Sequence, residues 1–126
     1  MSDTEDSRPL SGLRALVVED EIMVAMLIEQ MLYDLGVENV RSAPNISEAL
    51  ALIAEAAPDF AALDVNLRGT QVFPVAAELA ARKVAFLFVT GYGAHGVDAA
   101  WADRPVLQKP FSIDALEACV AKALGR

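Results

Sequence analysis

The chain has 126 residues, a formal net charge of −8 and a single cysteine, Cys119. That acidity leaves no basic stripe to neutralise nucleic-acid phosphates, and one cysteine excludes an intrachain disulfide. No apolar run approaches the roughly 20 residues of a membrane span, and Met1 to Pro9 lacks the basic start and apolar stretch of a secretory leader, so a soluble cytoplasmic protein is expected.

Residues 1–12 read as a flexible N-terminal lead-in and residues 13–126 as one domain. Leu13 to Val18 reads as a first strand. Glu21 to Leu35 reads as an amphipathic helix with Ile22, Met23, Met26, Leu27, Met31 and Leu35 at helical spacing, and its methionines are assigned to core filling. Gly36 stops that helix, and Val37 to Ala43 forms a second strand. Asn45, with Glu48 three residues on, caps a helix that Pro58 ends. Phe60 to Val65 is a third strand. After the loop Asn66-Leu67-Arg68-Gly69-Thr70 comes a helix with Pro74 in its first turn. Val84 to Val89 is a continuous apolar run, as a central buried strand requires. Gly91 to Arg104 holds Gly91, Gly93 and Gly96 with weak periodicity, so any helix there is short or irregular. Val106 to Gln108 is a fifth strand, and Ser112 caps a last helix with Ile113, Leu116, Val120 and Leu124. Five strands alternating with helices imply an α/β fold with a doubly wound parallel sheet.

In such a fold the carboxyl ends of the strands converge on one crevice. Glu19 and Asp20 follow the first run, Asp64 the third, Thr90 the fourth and Lys109 the fifth. An aspartate at a strand end is commonly a loop starter. A second acidic pair at a neighbouring strand end points instead to a shared pocket, where three carboxylates repel one another and call for a cation. Hard oxygen donors favour Mg²⁺; zinc would want His or Cys, and His95 is the only histidine. The cation would screen Asp64 so that an anionic phosphodonor can reach a carboxylate nucleophile. Lys109 is the counter-charge of the pocket, Thr90 its hydroxyl, and Gly91 allows close backbone approach. Trp101 reads as a packing residue between the irregular segment and the sheet, His95 as a loop residue and Cys119 as a small buried hydrophobe.

These residues carry a resemblance. Val17-Val18-Glu19-Asp20-Glu21, Leu63-Asp64-Val65-Asn66-Leu67, Thr90-Gly91 and Gln108-Lys109-Pro110-Phe111 resemble the receiver domain of two-component response regulators over nearly the whole chain. The resemblance implies a flavodoxin-like sheet of strand order 2-1-3-4-5. It implies that Asp64 accepts a phosphoryl group from a sensor histidine kinase. It further implies Mg²⁺ held by Asp20 and Asp64, by the Asn66 backbone carbonyl and by Glu19 partly through water. Lys109 would pair with the phosphoryl group, Thr90 would hydrogen-bond it, and Lys109-Pro110 would be a cis peptide.

The chain departs from the family at several places. Val106 stands where an aromatic switch residue is usual, and Arg68 stands where a proline is common. Phe88-Val89-Thr90-Gly91-Tyr92-Gly93 is similar to a variant subfamily with a Phe-Ala-Thr-Gly-aromatic sequence and a poorly ordered fourth helix. Arg68-Gly69 with Val72-Phe73-Pro74-Val75-Ala76 resembles regulators paired with HWE/HisKA2 kinases. Tyr92 either assumes the switch role with Thr90 or simply shields the loop.

With receiver elements filling residues 13–126, the expected output is protein binding, or service as a phosphate shuttle or sink, with no role for nucleic acid or membrane. Autophosphorylation and autodephosphorylation, rather than substrate turnover, would be its only chemistry. A pseudo-receiver that binds partners unphosphorylated is the alternative. A small aspartyl-nucleophile phosphatase is a weaker one, because Asn66 occupies the place of its general acid.

Overall fold

The structure is a computed structural model, and it describes residues 7–91 and 96–126. The apolar runs form five parallel strands: β1 (Arg14–Val18), β2 (Asn39–Ala43), β3 (Phe60–Asp64), β6 (Ala85–Thr90) and β7 (Val106–Gln108). Their order in the sheet is β2-β1-β3-β6-β7. Counted within that sheet alone, this is 2-1-3-4-5, the flavodoxin-like arrangement. The pairs Val18↔Leu63, Asp64↔Val89 and Thr90↔Gln108 bring the carboxyl ends of the strands level with one another.

Alternation along the strands splits the core into two layers. Leu16, Val18, Ala61, Leu63, Phe86 and Phe88 face the helices α2 (Ile46–Glu55) and α3 (Phe73–Ala81), meeting Ala49, Ile53, Val75 and Leu79. Ala15, Val17, Phe60, Ala62, Leu87 and Val89 face α1 (Ile22–Asp34) and α4 (Ile113–Ala123), meeting Ile28, Leu32, Leu116 and Val120. Strands buried on both faces are the reason β3 and β6 read as unbroken apolar runs.

The helix signals hold in detail. Asn45 Oδ1 accepts from the Glu48 amide at 2.8 Å, and Ser112 Oγ accepts from the Ala115 amide at 3.1 Å. Gly36 takes φ +104 just past α1, and Pro74 lies in the first turn of α3. Between β6 and β7 the described residues include a 3-10 turn, Ala99–Trp101, capped by the Asp98 carboxylate on the Ala100 amide. Trp101 packs edge-on against Phe86 with centroids 5.8 Å apart, as its packing assignment requires. His95 and Tyr92 lie outside the described residues.

Two expectations need correction, on the inward face of α1 and on the loop after β3. The inward stripe of α1 is Ala25, Ile28 and Leu32, whereas Ile22, Met23, Met26 and Leu27 are exposed by half or more. Nearly every position of this helix is apolar, so its periodicity could not say which stripe meets the sheet. The methionines Met23 and Met26 therefore do not fill the core. Within the lead-in, Leu10 packs onto the domain: it is 1% exposed, and its amide donates to the Leu35 carbonyl at 2.9 Å. Finally, the loop after β3 contains a small antiparallel hairpin, β4 (Asn66–Leu67) with β5 (Thr70–Gln71). Strands of two residues have no period to detect.

Candidate functional site

Four strand ends build one crevice. Glu19 continues β1 and is fastened by its amide to the Ala43 carbonyl at 3.0 Å, and Asp20 follows it. Asp64 ends the fully buried β3. Thr90 ends β6, is 3% exposed, and accepts at its backbone carbonyl from the Lys109 amide at 2.9 Å. That bond ties the Lys109 backbone to the end of β6, and the Lys109–Pro110 peptide that follows is cis. Asp64, Asn66, Thr90, Gly91 and Lys109 line a single opening of about 360 Å³.

Lys109 sits between two carboxylates, with Nζ 3.0 Å from Glu19 Oε1 and 3.5 Å from Asp64 Oδ2. Burial alone would lower the Lys109 pKa. The hydrogen bond to Glu19 and the charges of Asp64 and Glu19 outweigh it, and the pKa is raised above 10.5. Glu19 is itself 3% exposed. Burial lifts its carboxyl above the ordinary 4.5, against the opposing hydrogen bonds from the Glu21 amide and Lys109, and Asp64 adds to the rise. Asp64 is 8% exposed, and its Oδ1 accepts from the Asn66 amide at 3.3 Å.

Carboxylate oxygens of Glu19, Asp20 and Asp64 all lie within 4.8 Å of one another. With bonds of about 2.1 Å, an octahedral Mg²⁺ holds neighbouring oxygens about 3 Å apart and opposite ones about 4.2 Å apart. The cluster therefore needs only a small contraction, or a water at one position, to present hard oxygen ligands to that ion. The donor set fits Mg²⁺ and offers zinc neither imidazole nor thiolate. Asn66 turns its side chain back onto the hairpin, accepting from the Gly69 amide at 2.7 Å, so its backbone is what it has to offer a cation.

The structure thus brings Glu19, Asp20, Asp64, Asn66, Thr90 and Lys109 to one place. Val106, at the position of the missing aromatic, is half-buried and packs against the core on the α2/α3 side. Two relationships were not read from the sequence. Lys109 is closer to Glu19 than to Asp64, and Arg68 forms an ion pair with Asp20, Nε to Oδ2 3.2 Å. The second had one signal, the unusual arginine in the loop after Asp64.

The chain matches the response regulator receiver domain over residues 15–121. The transcriptional regulatory protein PdtaR of Mycobacterium tuberculosis is 29% identical over 127 residues, covering 98% of this chain and 62% of PdtaR. The chain thus spans less than two-thirds of the length of the curated relatives it matches. Among solved structures, SdrG of Sphingomonas melonis Fr1 is 42% identical with a TM-score of 0.80, covering 92% of this chain and 98% of SdrG. The BeF3-activated conformation of SdrG from Pseudomonas melonis Fr1 is 43% identical with a TM-score of 0.77, covering 88% of this chain and 95% of that one. On the profile, the sheet order and the acidic crevice together, this chain belongs to the response regulator receiver domain family.

Proposed function

We propose that the chain is a phosphoacceptor of a two-component phosphorelay, with Asp64 as the residue that takes the phosphoryl group. The observation that carries this reading is the placement of Asp64: nearly buried, at the end of a central strand, 3.5 Å from an ammonium and clustered with two further carboxylates. An Asp64 oxygen attacks the phosphorus of a phosphohistidine. The O–P bond forms, the P–N bond breaks, and the imidazole departs with a proton from solvent. Mg²⁺, held by Asp20 and Asp64, by the Asn66 backbone and by Glu19 partly through water, would supply charge neutralisation for the nucleophile and the incoming phosphoryl oxygens. Lys109 pairs with those oxygens, and the Thr90 hydroxyl donates to them. BeF3 bound through a carboxylate oxygen is tetrahedral at beryllium, like the phosphorus of an acyl phosphate, so the BeF3-activated conformation of SdrG supports the same chemistry here.

The donor is a sensor histidine kinase, of the HWE/HisKA2 type by the motif resemblance. It must bring its histidine to the crevice, and an exposed apolar surface follows Asp20 and Glu21 at the start of α1. Ile22, Met23, Met26 and Leu27 stand there, and Val24, Leu27, Pro110 and Phe111 line an adjoining groove of about 340 Å³. Output follows by protein–protein contact or by passing the phosphoryl group on, with Thr90 and Tyr92 as the switch pair; the chemistry is confined to gaining and losing the phosphoryl group.

The test is labelling with acetyl phosphate, read on a phosphate-affinity gel. A retarded band that needs both Mg²⁺ and Asp64, and that is lost in Asp64→Asn, is the expected result. No retardation with acetyl phosphate or with any of a panel of phosphohistidine kinases would leave a binding module that is not phosphorylated.

A further inference from the structure

Arg68 lies at the turn of the β4–β5 hairpin in a conformation arginine rarely adopts. Its φ is +52, and Gly69 beside it has φ +87. A non-glycine residue in the left-handed region is uncommon, and local contacts must hold it there. The hairpin supplies them: the Asn66 and Leu67 pairings with Gln71 and Thr70, and the Gly69 amide on Asn66 Oδ1. The result is that the guanidinium reaches across 48 residues of sequence to Asp20 Oδ2, while remaining 81% exposed itself; Asp20 is 13% exposed.

An ion pair this exposed adds little to folding stability. Its position gives it another consequence. Asp20 belongs to the three-carboxylate cluster, and its oxygen nearest Arg68 is one of two it has to share. A fixed positive charge on that carboxylate opposes a second cation through like-charge repulsion and through competition for the oxygen. We propose that Arg68 is a built-in competitor of the divalent cation at Asp20, which weakens metal loading of the acidic cluster and is displaced from Asp20 when the ion binds. This rests on the reading of the cluster as a Mg²⁺ site. Arg68 is a positioning residue in that scheme: it acts on Asp20 and touches neither the phosphoryl group nor Asp64.

The experiment is titration of the full chain with MgCl2, followed by amide NMR shifts and by calorimetry. Wild type is compared with Arg68→Ala, Arg68→Gln and Arg68→Lys, with Asp20→Asn as the site control. Removing the charge is expected to tighten Mg²⁺ binding about fivefold at low ionic strength, with the gain shrinking as salt is raised. Arg68→Lys, which keeps a charge, should stay near wild type. Arg68→Gln keeps most of the side chain and guards against a folding defect in Arg68→Ala, and a melt of each variant checks this. Equal or weaker Mg²⁺ binding in both neutral variants would overturn the role of Arg68 while leaving the metal site standing. Absence of Mg²⁺ binding in every chain, wild type included, would overturn the metal site and the inference together.

Discussion

Lys109 holds Glu19 more closely than it holds Asp64, 3.0 Å against 3.5 Å. Glu19 has almost no access to solvent, its side chain being 1% exposed, so the Glu21 amide and the Lys109 ammonium together compensate it for leaving water. Asp64 is left less tightly engaged by the ammonium. Under the proposed phosphoacceptor reading, the same lysine would serve the fold through Glu19 and the chemistry through Asp64.

Removing that ammonium should weaken the fold as well as the chemistry. In Lys109→Ala the carboxylates of Glu19 and Asp64 lose their ammonium while Arg68 still pairs Asp20, and the expected loss is about 1–3 kcal/mol in urea unfolding without metal. The value sits below that of a wholly buried pair because Glu19, whose pKa is already raised, can take up a proton. Addition of MgCl2 should restore part of the loss. A variant as stable as wild type in EDTA would contradict the role given to Lys109.

The exposed start of α1 separates two routes of labelling. Met23→Glu combined with Met26→Glu places charge on a surface 82% and 59% exposed, so stability should change by no more than about 0.5 kcal/mol. Labelling by acetyl phosphate should persist, whereas transfer from a cognate kinase should fall at least about tenfold, the equivalent of about 1.4 kcal/mol. Equal loss by both donors would show that the substitutions act on the crevice rather than on docking.

Leu10 should behave as a core residue. It packs with Val37 and Leu35 in the layer facing α1 and α4, and truncation to alanine should cost about 2–4 kcal/mol. Gly36 supports it: a Cβ there would stand 2.9 Å from Arg8 Cβ, so Gly36→Ala should also destabilise, by more than about 1 kcal/mol, given its φ of +104. Unfolding curves that match wild type would place the segment outside the cooperative unit.

Cys119 should be a slow thiol. Burial raises its pKa above 9.0, and the nearby Lys122 offsets this only in part. At pH 8 its alkylation by iodoacetamide should be several-fold slower than that of free cysteine. For a thiol whose folded pKa is raised, the associated stability is intact below pH 9.0 and is lost as pH climbs through the folded value. Stability should accordingly decline on the alkaline side and show no thiol-linked change below it.

The sheet was legible because β3 and β6 are buried on both faces, which removes polar residues from the run. The candidate site was legible for a related reason: Glu19, Asp64 and Thr90 each stand at the point where a buried run ends, and Lys109 follows the short edge strand β7. What escaped were features without a period or with remote partners. The hairpin has two rungs. Leu10 is one apolar residue among polar neighbours. Arg68 finds Asp20 only once the chain has turned through a left-handed residue, and local sequence carries no trace of the partner. In α1 the fault was excess rather than lack of signal, since a helix apolar on most sides offers no contrast between its inner and outer stripes.

The ion pairs of the crevice join residues 45, 48 and 90 positions apart. No hairpin, helix pair or half of the sheet contains the site. Lys109 arrives only when β7 has docked at the edge of the sheet against β6, and Glu19 and Asp64 become neighbours only when β1 and β3 are paired. The crevice is thus an integrity check on the whole chain. A partly folded molecule has its aspartates but lacks their geometry, so under the proposed reading a protein that has not finished folding would have no means of accepting a phosphoryl group.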